Sequence, residues 1–342
     1  MRALVTGATG FVGSCLTELL IEQGHTVAVL RRESTRPWRI EEVLPCVTSI
    51  RGDLEHLAAA AAEITRFAPD TVFHAGWYGV AGACRNEPEQ ITRNVHSTAL
   101  LTSLAAEAGC KTFVALGSQA EYGPQNRLLR ESDPTEPTST YGVAKLCALQ
   151  ASRHLARQMG MRFAWIRIFS LYGPRDNPDY MIPSLIEKLL RGEKPSLTSG
   201  EQLWDYLYVQ DAAEAIAAVA QTTGAEGVFN LGSGRTETIR QTVRQIRDLI
   251  DPSLPLGFDE VPYRPDQVMH LQADISRLRA ATGWTPRTML ADGLAQTIQW
   301  HRLKADKQLR PVPSGSAKVP ENAGARKCRS PFCHQLLQGE NA

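Results

Sequence analysis

The chain has 342 residues, 43% of them hydrophobic, and a formal net charge of +1 at pH 7. This length and composition allow one large α/β domain, or two closely joined domains, with a buried core. The balanced charge argues against a dedicated nucleic-acid binder and equally against a polybasic membrane surface. No apolar run approaches the roughly 20 residues that a membrane-spanning helix needs, so we expect neither nucleic acid nor membrane as a partner.

The first half of the chain alternates between predicted strands and predicted helices. In chain order the patterns predict strand 2–6, helix 11–23, strand 25–30, a strand ending within 47–53, helix 54–68, strand 70–76, helix 88–108, strand 111–118, helix 140–159 and strand 161–169. Strands that alternate with helices of ten or more residues are typical of βαβ units in a parallel sheet. We therefore predict a doubly wound α/β fold, a Rossmann domain, over residues 1–174.

The rhythm changes after residue 174. The stretch GPRDNPDYMIP is rich in turn residues, and the helical patterns that follow are interrupted by short strands and by the Pro-rich segment DPSLPLGFDEVPYRPDQ. These patterns predict a smaller C-terminal α/β lobe over 175–304, beside the edge of the sheet where ligands of open α/β sheets bind. The remaining residues, 305–342, contain Pro, Gly, Ser and Lys without periodicity and are expected to form a disordered tail.

Seven cysteines are scattered along the chain without a paired spacing, and the first residues lead directly into a strand rather than a signal peptide. This pattern favours reduced thiols and a cytoplasmic location. Cys328, Cys333 and His334 lie close together, but two thiols and one imidazole are short of a zinc set, so no metal site is expected.

The segment GATGFVG follows the first strand and opens the first helix. Gly7 permits a tight turn, Gly10 lets the backbone approach a pyrophosphate, and Gly13 lets helix and strand pack closely. The N–H groups and the positive dipole end of the helix face the same point. The segment predicts a dinucleotide site whose candidate contacts are Gly7, Thr9, Gly10, Phe11, Val12 and Gly13.

The end of the second strand predicts which dinucleotide is bound. An acid at this point binds a free ribose 2′-hydroxyl, whereas this chain has Arg31 and Arg32. Because guanidinium groups bind phosphate, these residues favour NADP(H) over NAD, although solvated arginines beside a bound NAD remain the alternative. Further cofactor contacts are expected after the third and fourth strands, at Asp53, Leu54, Ala75 and Gly76.

The segment STYGVAK places Tyr141 and Lys145 four residues apart, on one face of a predicted helix. A nearby ammonium lowers the pKa of a phenol, so the pair can exchange a proton with an oxygen whose carbon exchanges hydride with nicotinamide. Tyr141 and Lys145 are also expected to contact the cofactor. Ser118 ends the fifth strand, at the same edge of the sheet, where its hydroxyl can orient a carbonyl oxygen.

Taken together, the segments GATGFVG, VFHAG, GSQAEYG, YGVAK, RIFSLYGP, LYVQDAAEA, FNLGSG and GW-TP resemble the extended short-chain dehydrogenase/reductase family, of the NAD-dependent epimerase/dehydratase type. The resemblance covers about residues 1–304. It implies that Ser118, Tyr141 and Lys145 are catalytic, that Asn94 supports the site, and that the C-terminal lobe binds a nucleoside-diphosphate sugar for cell-surface polysaccharide synthesis. It further implies a homodimer formed through the helices at 88–108 and 140–159.

Three activities of the family compete. Sugar 4,6-dehydratases carry an Asp–Glu pair after the serine or threonine, where this chain has Gln119 and Ala120, so dehydration is disfavoured. Epimerases keep NAD bound and return the hydride to the other face. Ketoreductases take hydride from NADPH once, and GSQAEYGPQ and PYRPDQ are similar to CDP-abequose and CDP-paratose synthases. We therefore predict NADPH-dependent reduction of a nucleotide-linked 4-keto-6-deoxy sugar, with 4-epimerisation as the alternative and a non-catalytic cofactor sensor as a distant one.

The substrate lobe departs from the family pattern. Many members have an arginine before the aspartate of the strand that reads LWDYLYVQD here, and this chain has Trp204 instead. Arg264, in PYRPDQ, matches a second family arginine and is the favoured diphosphate ligand. Arg175 is the weaker candidate for this role. Ser170 stands where the family often has asparagine. The predicted substrate contacts are therefore Gln119, Ser170, Trp204 and Arg264.

Overall fold

A computed structural model of the protein describes residues 1–80 and 82–309. The predicted tail from 310 onward, with the Cys328, Cys333 and His334 group, lies outside the described residues. The strands are β1 (Arg2–Thr6), β2 (Thr26–Arg31), β3 (Thr48–Arg51), β4 (Thr71–His74), β5 (Thr112–Ser118), β6 (Arg127–Leu129), β7 (Arg162–Ile168), β8 (Ser170–Tyr172), β9 (Leu203–Trp204), β10 (Tyr206–Tyr208), β11 (Gly227–Leu231), β12 (Glu237–Thr238) and β13 (His270–Ala273).

The helices surround the main sheet and fill the smaller lobe. They are α1 (Phe11–Glu22), α2 (Ala61–Phe67), α3 (His96–Glu107), α4 (Thr140–Gln158), α5 (Met181–Leu190), α6 (Val209–Gln221), α7 (Ile239–Ile250), α8 (Ser276–Thr282) and α9 (Leu290–Leu309). In the described ranges, no helix combines the length and the apolar character that a membrane crossing requires.

A seven-stranded parallel sheet forms the centre of the fold, with strand order β11-β7-β5-β4-β1-β2-β3. The chain winds outward from β1 in one direction through β2 and β3 and in the other through β4 and β5. A crevice opens beyond the carboxyl ends of the strands where this winding reverses, and ligands of doubly wound sheets bind there. Thr6 of β1 pairs in register with His74 of β4 and Leu30 of β2, so the loops after these three strands meet at that crevice.

The two faces of the sheet are covered by separate apolar layers. Successive strand residues point to opposite faces, and β1 illustrates this, since Val5 packs in the layer that holds α1 and α6 whereas Leu4 packs in the layer that holds α3 and α4. Burial on both faces explains why the strands read as continuous hydrophobic runs. The predicted Rossmann fold is confirmed.

The smaller lobe has its own sheet and core. Strands β12, β9, β13 and β6 form a four-stranded mixed sheet, and β8 pairs with β10. Helices α5, α7 and α9 pack together around residues such as Ile186, Ile246 and Ile298. The lobe lies at the carboxyl end of the main sheet, since β8 follows directly from β7.

The structure departs from the sequence expectations in four places. Strand β11, expected in the lobe, pairs with β7 at the edge of the main sheet, so the division at residue 174 does not coincide with the limit of that sheet. The predicted helix 54–68 is a 3₁₀ segment and α2, interrupted where His56 has non-helical dihedral angles. The predicted helix 88–108 begins with a π-helical segment, Gln90–Val95, and α9 continues past 304 to Leu309.

Candidate active site

The glycine segment forms the turn between β1 and α1 at the crevice. Gly7 has a positive φ of 71°, and a Cβ atom there would lie 2.5 Å from the backbone of Ala75 and Gly76. A Cβ atom on Gly13 would lie 2.1 Å from the carbonyl oxygen of Gly7. Gly10 is the N-cap of α1, and its position provides no side-chain cap for the helix. The turn is thus tightly closed while leaving the helix N-terminus open to an anion, which fits the pyrophosphate of a dinucleotide.

We expect Gly7→Ala to destabilise the fold by about 1–3 kcal/mol beyond the cost of a strained φ and to weaken cofactor binding severely. Gly24→Ala is the matched control, because Gly24 also has a positive φ, of 77°, but a Cβ there would meet no described atom within 4 Å. Urea denaturation and titration with reduced nicotinamide dinucleotide, followed by fluorescence, measure the two effects. Equal losses of stability in the two variants would contradict the close-packed turn.

The adenosine end of the crevice carries the predicted arginines. Arg31 donates from Nε to the Ser49 hydroxyl at 2.6 Å, and its terminal nitrogens contact no carboxylate among the described residues. Arg32 is exposed. Asp53 accepts a hydrogen bond from the backbone of Glu55 and so caps the turn after β3. The neighbouring side chain of Leu54 packs against Gly76, where a Cβ atom would come within 2.6 Å of it.

Ser118 and Tyr141 meet at the carboxyl end of β5. Tyr141 lies in the first turn of α4, whose N-cap Ser139 accepts a hydrogen bond from Gly142. A Cβ atom on Gly142 would lie 2.4 Å from the Ala120 carbonyl oxygen, so this glycine lets α4 approach the segment after β5. The approach brings the phenol beside the Ser118 side chain, close enough for the hydroxyl to affect its pKa.

The Tyr141 phenol is buried, with 6% of the residue exposed. Burial raises the pKa of Tyr141 to about 12, against the opposing effects of the neighbouring Ser118 side chain and the nearby charge of Arg85. A phenol with this pKa is protonated at neutral pH. It therefore needs positive charge close by in order to accept a proton from a substrate hydroxyl.

Lys145 lies one turn further along α4, on the same face as Tyr141. Its ammonium donates to the Leu116 carbonyl oxygen at 2.7 Å and lies 3.5 Å from the centroid of the Trp77 ring, but 5.8 Å from the centroid of the Tyr141 ring. Burial lowers the pKa of Lys145 to about 7, although the charge of Glu121 opposes this shift. The structure thus brings Ser118, Tyr141 and Lys145 together, with the lysine held by the Leu116 carbonyl oxygen and the Trp77 ring.

Two elements of the site were missed in the sequence, and the first is Arg85. Its guanidinium carbon lies 4.2 Å from the centroid of the Tyr141 ring, and its carbonyl oxygen accepts the Tyr141 backbone N–H at 2.8 Å. The loop between β4 and α3 has no periodicity, so no pattern in the sequence indicates which of its residues faces the phenol.

The second missed element is a buried ion pair behind Ser118. The Glu121 carboxylate accepts hydrogen bonds from the Ser118 backbone at 2.9 Å, from Trp165 Nε1 at 2.9 Å and from Arg167 Nε at 2.7 Å. Glu121 is fully buried and Arg167 is 3% exposed. The spacing Ser-x-x-Glu in SQAE is the signature of a capping box, which the structure contains, so this signal could have identified Glu121.

The residues after β4 are held by the π-helical segment. Asn94 accepts the Tyr78 backbone N–H at 2.7 Å and donates to the Tyr78 carbonyl oxygen at 3.1 Å. Trp77 donates to Gln90 at 2.9 Å. His74 is buried between the hydroxyls of Thr6 and Thr98, and burial lowers the pKa of His74 to about 3. His74 is therefore a neutral, structural histidine, and Asn94 supports the loop that carries Trp77.

The predicted substrate contacts are separated into two groups. Trp204 Nε1 donates to the Ser170 hydroxyl at 2.7 Å, so these two form one wall of the lobe, and Gln119 is half-buried beside Ser118. Arg264 is exposed on the Pro-rich loop. Arg175 forms a bidentate ion pair with Glu18 at 2.5 and 2.6 Å, so the structure does not support it as a diphosphate ligand.

Comparison with known proteins identifies the class to which this fold and site belong. The model of the NAD dependent epimerase/dehydratase family matches residues 3–232, more than half of the chain, and the chain belongs to this family. The UDP-glucose 4-epimerase of Mycolicibacterium smegmatis is 28% identical over 319 residues, which cover 89% of this chain and 100% of that protein.

Two solved structures extend the comparison. The UDP-N-acetylglucosamine 4-epimerase of Methanobrevibacter ruminantium, in complex with UDP-N-acetylmuramic acid, has a TM-score of 0.80 and 25% identity, covering 88% of this chain and 98% of that one. The protein MoeE5, in complex with UDP-glucuronic acid and NAD, has a TM-score of 0.74 and 30% identity, covering 88% and 99%.

These comparisons confirm the extended short-chain dehydrogenase/reductase family and an enzyme of nucleotide-sugar metabolism. They favour the alternative, 4-epimerisation, over the 4-ketoreduction that we put first from sequence. The MoeE5 complex contains NAD, whereas the sequence favoured NADP(H).

Proposed function

We propose that the chain is a nucleotide-sugar 4-epimerase, which inverts the configuration at C4 of a hexose linked to a nucleoside diphosphate. The observation that carries the proposal is the placement of the buried Ser118 and Tyr141 side chains beside each other, at the end of β5 next to the dinucleotide crevice. The 4-epimerases among the similar proteins support it. A bound nicotinamide supplies a hydride acceptor and donor at such a site.

In this reaction Ser118 and Tyr141 would control one proton, which passes between the sugar O4 and the phenol oxygen. With the sugar O4 between Ser118 and Tyr141, the serine hydroxyl fixes the oxygen and the phenol oxygen takes its proton as the C4 hydroxyl becomes a carbonyl. The same phenol returns the proton when the carbonyl is reduced again. With Gly7 and Gly13 closing the turn, the open N-terminus of α1 at Gly10 would hold the dinucleotide phosphates, and Lys145 would contact the nicotinamide end. Dehydration is disfavoured because Gln119 and Ala120 cannot exchange protons.

A second candidate, NADPH-dependent reduction of a 4-keto-6-deoxy sugar, is favoured by one observation. The terminal nitrogens of Arg31 and the exposed side chain of Arg32 lie at the end of β2, with no carboxylate partner in the described chain. A ribose 2′-phosphate would form charge-assisted hydrogen bonds there. The reductase would take hydride from NADPH and release NADP⁺, whereas the epimerase would retain NAD. A measured preference between the two dinucleotides therefore separates the two activities.

Arg31→Asp should reverse this preference. We expect NADPH to bind at least about tenfold more weakly and NADH to bind equally or better, since a charge-assisted hydrogen bond contributes about 1.5–3 kcal/mol. Isothermal titration with both dinucleotides measures the change, and Arg66→Asp, at an exposed position of α2, controls for net charge. If NADPH affinity is unchanged in Arg31→Asp, the arginine does not contact the 2′-phosphate.

The test of function is a substrate panel with the full chain. UDP-, dTDP-, CDP- and GDP-hexoses are incubated with NAD or NADP⁺ and the C4 epimers separated by chromatography, while 4-keto-6-deoxy sugars are incubated with NADPH and followed at 340 nm. Interconversion of C4 epimers without net oxidation of added dinucleotide supports the epimerase. Consumption of NADPH by a keto sugar, with no epimer interconversion, identifies the reductase instead of the epimerase. If neither reaction occurs, both proposed functions are refuted.

We also infer that the protein is a cytoplasmic homodimer and that it acts in cell-surface polysaccharide synthesis. Each subunit would consist of a nucleotide-binding part and a substrate lobe that divide near residue 174. The exposed side chains of Ile91 and Leu100, 42% exposed each, support pairing through the helix around α3. Sedimentation velocity of the chain, with Leu100→Glu for comparison, distinguishes a dimer from a monomer.

A further inference from the structure

Arg85 lies against the catalytic phenol without an acidic partner. Its guanidinium carbon is 4.2 Å from the centroid of the Tyr141 ring, and the residue is half-buried. Within the described ranges, its side chain forms neither an ion pair nor a hydrogen bond. The charge of this side chain is therefore directed at the phenol rather than neutralised by a neighbour.

Lys145 is a less constant source of charge at this site. Its ammonium is engaged by the Leu116 carbonyl oxygen and by the ring of Trp77, and burial lowers its pKa to about 7. Near neutral pH the lysine is thus only partly charged. A guanidinium remains protonated throughout the range in which proteins work.

We propose that the Arg85 guanidinium is the constant positive charge that stabilises the phenolate form of Tyr141, an inference that rests on the proposed function for its role in turnover. Arg85 is a positioning residue, since it acts through the phenol. The carbonyl oxygen of Arg85 also fixes the Tyr141 backbone, at 2.8 Å, so one loop residue sets both the place and the charge state of the phenol.

Other charged or titratable groups face Tyr141 from the elements around it. Glu121, after β5, and Tyr180, before α5, both disfavour the phenolate. The charge of Glu121 is compensated by Arg167, and Tyr180 is itself close to Arg85. These surroundings make Arg85 the group whose removal changes the field at the phenol most directly.

The first experiment needs no turnover. The full chain carries 3,5-difluorotyrosine at position 141, whose phenol is more acidic than that of tyrosine, and its ionisation is followed by ¹⁹F NMR. We expect Arg85→Gln to raise the pH midpoint of phenol ionisation by about one pH unit or more. The midpoint of Arg85→Lys should lie between those of the wild type and Arg85→Gln, and the exposed control Arg66→Gln should leave the midpoint unchanged. The backbone hydrogen bond to Tyr141 persists in all three. A midpoint that does not move in Arg85→Gln overturns the proposal.

The second experiment is the pH profile of kcat with the substrate identified by the panel. The acid limb of sugar oxidation should move to higher pH in Arg85→Gln, with about a tenfold loss below the limb and convergence with the wild type above it. A loss that is equal at every pH, without rescue by Arg85→Lys, indicates a structural role and overturns the proposal. If the wild type converts no nucleotide sugar, the proposed function fails, while the fluorine titration still decides the role of Arg85.

Discussion

Tyr141→Phe should lower kcat by about 10²–10⁴-fold, because a positioned general acid–base group contributes about that much to a rate. The ring of this variant still packs against Trp77, which it contacts edge-on at a centroid distance of 6.1 Å, and Arg85 can still stack on it. The fold and the dinucleotide affinity should therefore remain. Steady-state rates with the substrate of the panel, together with a dinucleotide titration, measure the two properties separately.

The control for this variant is another buried tyrosine. Tyr172→Phe, in the core of the smaller lobe, removes one hydrogen bond to the Leu290 carbonyl oxygen at 3.2 Å and should leave kcat within about twofold while slightly lowering stability. If Tyr141→Phe retains full activity, the phenol is not the proton-transfer group. Loss of dinucleotide binding together with activity would instead indicate that the variant disturbs the crevice.

The sequence was sufficient where chemistry is encoded in consecutive residues. The turn GATGFVG depends on neighbours along the chain, and the structure closes it as expected around Gly7 and Gly13. The spacing of Tyr141 and Lys145 places them on one helix face, and Ser118 could be placed because parallel strands end at a common edge. The residue roles derived from these patterns stay predictions until the variants are assayed.

Features that depend on contacts between distant segments could not be predicted. Strand β11 reaches the main sheet only after the chain has left it for the lobe, and one short apolar strand does not indicate its partner. Arg85 meets Tyr141 across 55 intervening positions through a loop without periodicity. The engagement of Lys145 by the Leu116 carbonyl likewise follows from packing, which helical spacing alone does not reveal.

The buried pair of Glu121 and Arg167 should give the largest effect on stability. Glu121→Ala leaves a guanidinium that is 3% exposed without its carboxylate, and it removes the acceptor of Trp165 and of the Ser118 backbone. Breaking a buried ion pair by removing one partner costs about 3–5 kcal/mol. Urea denaturation should show this loss, and kcat should fall as well because the backbone of Ser118 loses its anchor.

Glu121→Gln separates the two roles of the carboxylate. Trp165 Nε1 and the Ser118 backbone both donate to Oε1, which the amide oxygen of glutamine can replace, whereas the amide nitrogen would face the donor Arg167 Nε. Glu121→Gln should therefore lose most of the stability that the ion pair contributes, but it should keep more activity than Glu121→Ala. Parallel losses of stability and kcat in the two variants would contradict this division of roles.

A double-mutant cycle tests whether the charges act as a pair. Arg167→Met alone leaves the Glu121 carboxylate buried without its cation, so it should cost about as much stability as Glu121→Leu. The double variant removes both charges and should be less destabilised than the sum of the single losses. It should not recover fully, because Trp165 Nε1 and the Ser118 backbone N–H still lack an acceptor in the buried site. Additive losses would show that the carboxylate acts through its hydrogen bonds to these two groups rather than through the charge of Arg167.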